Sequence, residues 1–91
     1  MSVLVRIPTP LRALTNGKGE LTLDAASVKD LIARLDQEYG GLRERLCEDD
    51  GAVRRFVNVY VNEEDIRFLQ NLETPVKNGD GILLVPAIAG G

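Results

Sequence analysis

Only one stretch of this 91-residue chain has the period of an amphipathic helix of several turns, and it lies between short segments that alternate like strands. Val28, Leu31, Ile32, Leu35 and Tyr39 fall three, four, seven and eleven residues after the first of them, which places all five on one apolar stripe. Lys29, Arg34, Asp36 and Gln37 occupy the opposite face. A helix with one such stripe must bury it, and the strands on either side offer a sheet to bury it against. Ser27 reads as the N-cap, and Asp30, three residues on, stands where a capping box has Glu or Gln. Gly40-Gly41 stops the helix, glycine suiting the left-handed position past the last turn.

Before the helix, Val3, Val5 and Ile7 alternate with Ser2, Leu4 and Arg6, as in a half-buried strand that Pro8 and Pro10 end. Leu11 to Leu14 suit one helical turn, and Asn16-Gly17 suits a turn with positive φ. Glu20 to Asp24 form a second strand with Leu21 and Leu23 on one face, so the pair reads as an antiparallel hairpin with a long connection. After the helix, Leu42 and Leu46 anchor a short helical turn, and Glu48-Asp49-Asp50-Gly51 is an exposed loop. Phe56 to Val61 form the clearest strand, with Val57, Val59 and Val61 on one face and Phe56, Asn58 and Tyr60 on the other. Asn62 to Asp65 make a turn, and Ile66-Arg67-Phe68 a short returning strand. Asn78-Gly79-Asp80-Gly81 turns into Ile82-Leu83-Leu84-Val85, a run apolar on both faces as in a central strand. Pro86 ends that strand.

Two strands, a helix, then two or three strands predict an α+β fold: a mixed four- to five-stranded sheet with one main helix packed on one face. The last strand is apolar enough to lie centrally beside the first. This order is the β-grasp arrangement of ubiquitin-like domains. It fills one domain over residues 1–91, with a flexible tail over 87–91.

Composition removes most catalytic roles. The chain has no histidine, hence no imidazole general base and no histidine-based nucleophilic triad. Its single cysteine, Cys47, has no partner for an internal disulfide. Cys47 reads as a small packing residue beside Leu46. A net charge of −3 without a Lys/Arg-rich run argues against nucleic-acid binding. No apolar run is long enough to span a bilayer and no signal peptide opens the chain, so the expected location is the cytoplasm. Glu48-Asp49-Asp50 and Glu63-Glu64-Asp65 lack further ligands at coordinating spacing, so no metal site is expected. No residue is assigned as catalytic, and the chain is not expected to be an enzyme.

The end of the chain carries a more specific pattern. Val76, Gly79-Asp80, Ile82, Pro86 and Gly90-Gly91 keep a spacing that resembles the C-terminal signature of the ThiS/MoaD family of ubiquitin-like sulfur carriers. Leu11-Arg12-Ala13-Leu14-Thr15 resembles the segment after that family's first strand. Within the family, Arg55 to Phe68 and Pro86 to Gly91 are similar to the CysO-like carriers that feed cysteine synthase. The resemblance implies that Gly91 is adenylated and converted to a thiocarboxylate. It also implies a tail of Pro86, Ala87, Ile88, Ala89 and Gly90 that threads a partner's channel. The implied partners are an E1-like adenylyltransferase or sulfurtransferase that uses ATP, a pyridoxal-phosphate-dependent cysteine synthase that accepts the sulfur, and a metalloprotease that releases the new cysteine. The carrier itself binds no cofactor. Related chains serve as the small subunit of molybdopterin synthase beside its large subunit, as modifiers joined to lysine, or as donors for tRNA thiolation. A ubiquitin-like interaction module that is never activated is a further alternative.

A Gly-Gly end suits such chemistry. Glycine has no Cβ and lets the backbone approach a partner closely, Ala87 and Ala89 keep the tail slim, and Pro86 sets its departure. Ile88 offers an apolar anchor on the partner. If Val57, Val59 and Val61 face the helix, then Leu4, Phe56, Tyr60 and Leu84 are expected to point outward together and form a docking patch.

Overall fold

The computed structural model describes residues 2–86. Its strands are β1 (Ser2–Arg6), β2 (Glu20–Asp24), β3 (Val57–Val61), β4 (Glu64–Asp65) and β5 (Gly81–Pro86). The helices are α1 (Val28–Glu38) and the short α2 (Leu42–Leu46). Single 3-10 turns occupy Thr9–Thr15, Ile66–Phe68 and Asn71–Glu73. The sheet runs β2-β1-β5-β3-β4. β1 and β5 are parallel, and the other neighbours are antiparallel. The sheet is therefore mixed, with the last strand central beside the first, as the apolar run over 82–85 predicts.

Register puts the core on one face. Val5 lies opposite both Leu21 and Ile82, and β3 sets Val61 opposite Ile82 and Val59 opposite Leu84. Residues directly opposite in a sheet share a face, so these side chains all meet the helix. Val28, Leu31, Ile32 and Leu35 of α1 are buried against them. Leu42 and Leu46 of α2 complete the same core from the helix side and leave the outer sheet face uncovered.

The helix start follows its sequence. Ser27 Oγ accepts the Asp30 N–H at 3.1 Å. The return bond of the box lands one residue early, because Asp30 accepts the N–H of Ala26 at 3.0 Å rather than that of Ser27. Arg34 closes on the same carboxylate at 3.1 Å, one turn along. The helix ends just before the expected Gly40-Gly41 pair. Tyr39 caps it with φ −134°, and the left-handed residue is Gly41 at φ +102°, which leads into α2. Asp36 Oδ1 accepts the N–H groups of Gly41 at 3.1 Å and Arg43 at 3.2 Å, which moves the reversal of the chain to Gly41.

The β3–β4 hairpin is tighter than the sequence suggests. Val61 pairs with Glu64, so the loop is only Asn62 and Glu63, both at positive φ as a two-residue primed turn requires. Glu64–Asp65 is β4, and Ile66–Phe68 is a 3-10 turn rather than a returning strand. Asp65 accepts the Arg67 N–H at 2.9 Å, which caps that turn, and Ile66 drops into the core. Arg67 then reaches back with Nη2, donating to the carbonyls of Val57 at 2.8 Å and Arg55 at 3.2 Å. Its Nη1 donates to Asn58 Oδ1. Phe56 therefore stands just outside β3 rather than inside it.

Candidate functional site

Gly91, Gly90, Ala89, Ile88 and Ala87 lie outside the described residues, so the structure bears on the chain's end through the point from which it departs. That point is Pro86. It is the last residue of β5, opposite Val57 of β3, rather than the first residue beyond the strand. β1 accompanies β5 only as far as Arg6 opposite Leu83. Pro86 thus has one neighbouring strand, and the missing N–H of proline is tolerated at such a place.

The outer sheet face leading to Pro86 is apolar at its centre. Leu4, Leu83 and Val85 are 38 %, 41 % and 37 % exposed. Tyr60, half-buried, lies opposite Leu83, and Asn58 lies opposite Val85. Phe56 is exposed beside this face, with the Arg55 guanidinium 5.7 Å over its ring. Leu84, expected outward, is instead fully buried. The correction follows from parity: Leu84 pairs with Val59 and so faces α1, and its neighbours Leu83 and Val85 take the outer positions. The sequence reading missed both. Every position from 82 to 85 is apolar, so alternation carried no signal there; only cross-strand register finds them.

Two shallow depressions flank this centre. One, of about 480 Å³, includes Leu4, Tyr60, Asn62, Glu63 and Leu83. The other, of about 700 Å³, lies at the Pro86 end, where Arg6, Pro8, Arg12, Leu83, Val85 and Pro86 line it. Arg6 is held across the hairpin by Glu20 at 3.4 Å, an exposed pair.

The remaining candidates have structural roles. Cys47 is 4 % exposed within the core, and burial pushes its thiol up despite the nearby Arg43 and Arg54. In the acidic loop, Glu48 pairs with Arg54 Nη1 at 2.9 Å and Asp50 accepts the Ala52 N–H at 3.0 Å. Among the described residues no group of three or more His, Cys, Asp or Glu is placed to hold a metal ion. Asp80 accepts from Asn62 Nδ2 at 2.9 Å and from the Lys77 N–H at 2.8 Å. Those bonds, the Asn62 one first, hold its carboxyl below the usual range. Asn62 Oδ1 in turn accepts the Gly81 N–H at 2.9 Å, so this cluster latches the start of β5 to the β3–β4 turn. Among the described residues no helix is long and apolar enough to cross a membrane.

The arrangement is an exposed apolar centre beside the strand that ends at Pro86. Residues 5–91 match the ThiS family. The chain is 41 % identical over 93 aligned residues to the sulfur carrier protein CysO of Mycobacterium tuberculosis, with 100 % of both chains covered. A chain in the crystal structure of the Amycolatopsis orientalis BexX/CysO complex superposes with a TM-score of 0.91 at 42 % identity, covering 98 % of this chain and 99 % of that one. The crystal structure of Mycobacterium tuberculosis CysO, an antigen, superposes with a TM-score of 0.89 at 39 % identity, covering 94 % and 99 %. The mixed five-stranded sheet with its helix is thus the β-grasp fold of ubiquitin-like domains.

Proposed function

The chain belongs to the ThiS family, and on that premise we propose that it is a cytoplasmic sulfur carrier whose Gly91 carboxyl becomes a thiocarboxylate and donates sulfur for cysteine biosynthesis. The observation that carries this reading is the full-length match to a relative named as a sulfur carrier, which spans this chain through Gly90-Gly91.

The chemistry explains the division of labour. A carboxylate is a poor electrophile, because its charge is delocalised and oxide would be the leaving group. An E1-like partner joins the Gly91 carboxylate to the α-phosphate of ATP and releases pyrophosphate. A sulfur nucleophile then attacks the carbonyl carbon, AMP departs, and the end of the chain becomes a thiocarboxylate. This sulfur acid is more acidic than a thiol, so it is ionised and nucleophilic at neutral pH. It attacks an electrophilic carbon that a pyridoxal-phosphate-dependent cysteine synthase supplies and forms a thioester. The new cysteine's amine then attacks that carbonyl, the sulfur leaves as the cysteine thiol, and a metalloprotease hydrolyses the resulting amide. None of these steps asks the carrier for a general base, which accords with a chain that lacks histidine. The carrier's own work is mechanical. The outer face around Leu4, Phe56, Tyr60, Leu83 and Val85 docks the partner, with Leu84 excluded by its burial. Pro86 releases the slim segment Ala87, Ile88, Ala89 and Gly90 into the partner's channel.

The test is an intact-mass measurement after incubation with ATP, sulfide and the activating enzyme. The expected result is one oxygen-to-sulfur exchange confined to Gly91, lost when Gly90 and Gly91 are removed. No exchange, or exchange that survives the truncation, overturns the reading. Offering the loaded carrier to cysteine synthase and to the large subunit of molybdopterin synthase then selects the acceptor, and isopeptide adducts through Gly91 would instead mark a modifier.

A further inference from the structure

The connection from β1 to β2 holds one cation in a fixed place. Arg12 Nε donates to the carbonyl of Ile7 at 3.0 Å, which ties the guanidinium to the backbone. Gly19 lies against it: a Cβ at Gly19 would stand 3.0 Å from Arg12 Cζ and from Nη2. The backbone of Gly19 is not in the left-handed region. Its conformation therefore does not call for glycine; the space taken by the guanidinium does.

Like Arg43, Arg45 and Arg55, this arginine is in no ion pair among the described residues. Arg6 is matched by Glu20, Arg34 by Asp30, Arg54 by Glu48 and Arg67 by Asp65. Among the described residues no carboxylate is matched to Arg12. Arg12 lines the 700 Å³ depression beside Pro86 together with the exposed Leu83 and Val85 and with Glu20, whose carboxylate is already paired with Arg6. A guanidinium fixed through Nε keeps two terminal nitrogens for a carboxylate in the parallel two-bond geometry that favours arginine. Because the side chain is already ordered, little further entropy is lost when it pairs.

We propose that Arg12 is a carboxylate anchor that receives an Asp or Glu side chain of the activating enzyme, with Leu83 and Val85 receiving an apolar neighbour of that acid. The inference rests on the sulfur-carrier reading above. The complement is an acidic side chain rather than the phosphates of ATP for a reason of length. Gly91 lies five residues beyond Pro86, a reach of at most about 17 Å when extended. In the extended form that threading a partner's channel requires, the adenylated carboxyl works at that remove from the depression, out of reach of Arg12. In a chain of net charge −3, a rigid unmatched cation at the exit of the tail also orients the approach of an acidic partner patch.

The test compares wild type, Arg12→Ala, Arg12→Lys and Gly19→Val in pyrophosphate exchange by the purified activating enzyme, with circular dichroism to confirm folding. Arg12→Ala is expected to raise the KM for the carrier about tenfold with kcat unchanged, the usual scale for losing a hydrogen bond to a charged group. Arg12→Lys is expected to recover only part of the loss, since ammonium lacks the paired donors. Gly19→Val keeps the charge but displaces the guanidinium, so its KM is expected to rise as well. The Arg12 Nε–H resonance, protected in wild type, reports that displacement directly. An unchanged KM in Arg12→Ala overturns the anchor. So does an unchanged KM in Gly19→Val when the resonance shows the guanidinium displaced. A wild-type carrier that supports no exchange at all overturns the sulfur-carrier reading itself, a result distinct from either.

Discussion

Leu83 and Leu84 are chain neighbours on opposite faces of β5, and replacing each with alanine tests the assignment of the outer surface. Leu84 is 0 % exposed among Val59, α1 and the rest of the core. Truncating such a leucine loses its transfer free energy and leaves a cavity, together about 3 kcal/mol. Leu83 is 41 % exposed. It loses only part of its burial and leaves no enclosed cavity, so its truncation costs about 1 kcal/mol. For a domain of this size that difference corresponds to a Tm lowered by roughly 12–24 °C for Leu84→Ala against roughly 4–8 °C for Leu83→Ala. With a urea m-value of about 1.5 kcal/mol/M, the midpoints fall by about 2 M and by less than about 1 M. Total stabilities of about 5–14 kcal/mol are usual at this length, so both variants are expected to fold. Urea melts followed by far-UV circular dichroism give the midpoints. Affinity for the activating enzyme, measured well below both transitions, supplies the second readout. Leu83→Ala is expected to weaken binding and Leu84→Ala to leave it intact. Equal stability losses, or a binding loss confined to Leu84→Ala, would refute the assignment of faces.

The helix cap is testable by Ser27→Ala, which removes the acceptor of the Asp30 N–H and is expected to cost about 1 kcal/mol in a urea melt. Cys47, buried and with its thiol pushed up by burial, is expected to resist iodoacetamide in the native protein and to react readily in urea. Cys47→Ala is expected to leave sulfur loading unchanged, and rapid native alkylation would contradict the packing role. Asp80 has its carboxyl held low, first by Asn62 and then by the Lys77 N–H. A depressed carboxyl contributes stability above the ordinary Asp value of about 3.9 and loses it as pH falls through the lower folded value. Asp80→Asn is therefore expected to be less stable than wild type at neutral pH, with the gap closing in acid. A gap independent of pH would count against that origin.

Much of the fold was legible because local periodicity and local capping act over a few residues. The stripe from Val28 to Leu35, the Ser27 cap, the alternation of Val3, Val5 and Ile7, and the turn at Asn78-Gly79 all lie where the sequence places them. Of the Gly40-Gly41 pair it is Gly41 that takes the left-handed turn, and Asp36 collects the amides of Gly41 and Arg43. The misreading of 66–68 arose where a side-chain cap and a core contact together outweigh the strand-like pattern. Ile66–Phe68 winds rather than extends because Asp65 caps it and the core draws in Ile66.

The amino-acid order alone settled that one helix would pack on a mixed sheet with a central last strand, and that no imidazole chemistry was available. Both are consequences of periodicity and residue type, properties that belong to single segments. Folding in three dimensions decided which of two adjacent leucines meets the helix and which lies on the exposed face. It also decided that Pro86 stays paired within the sheet and that Arg12 lies across Gly19. The first two depend on strands brought together from distant parts of the chain, and the third on the fold of the β1–β2 connection. A uniformly apolar strand reads the same whichever way it is turned, and only its neighbours' register breaks that symmetry.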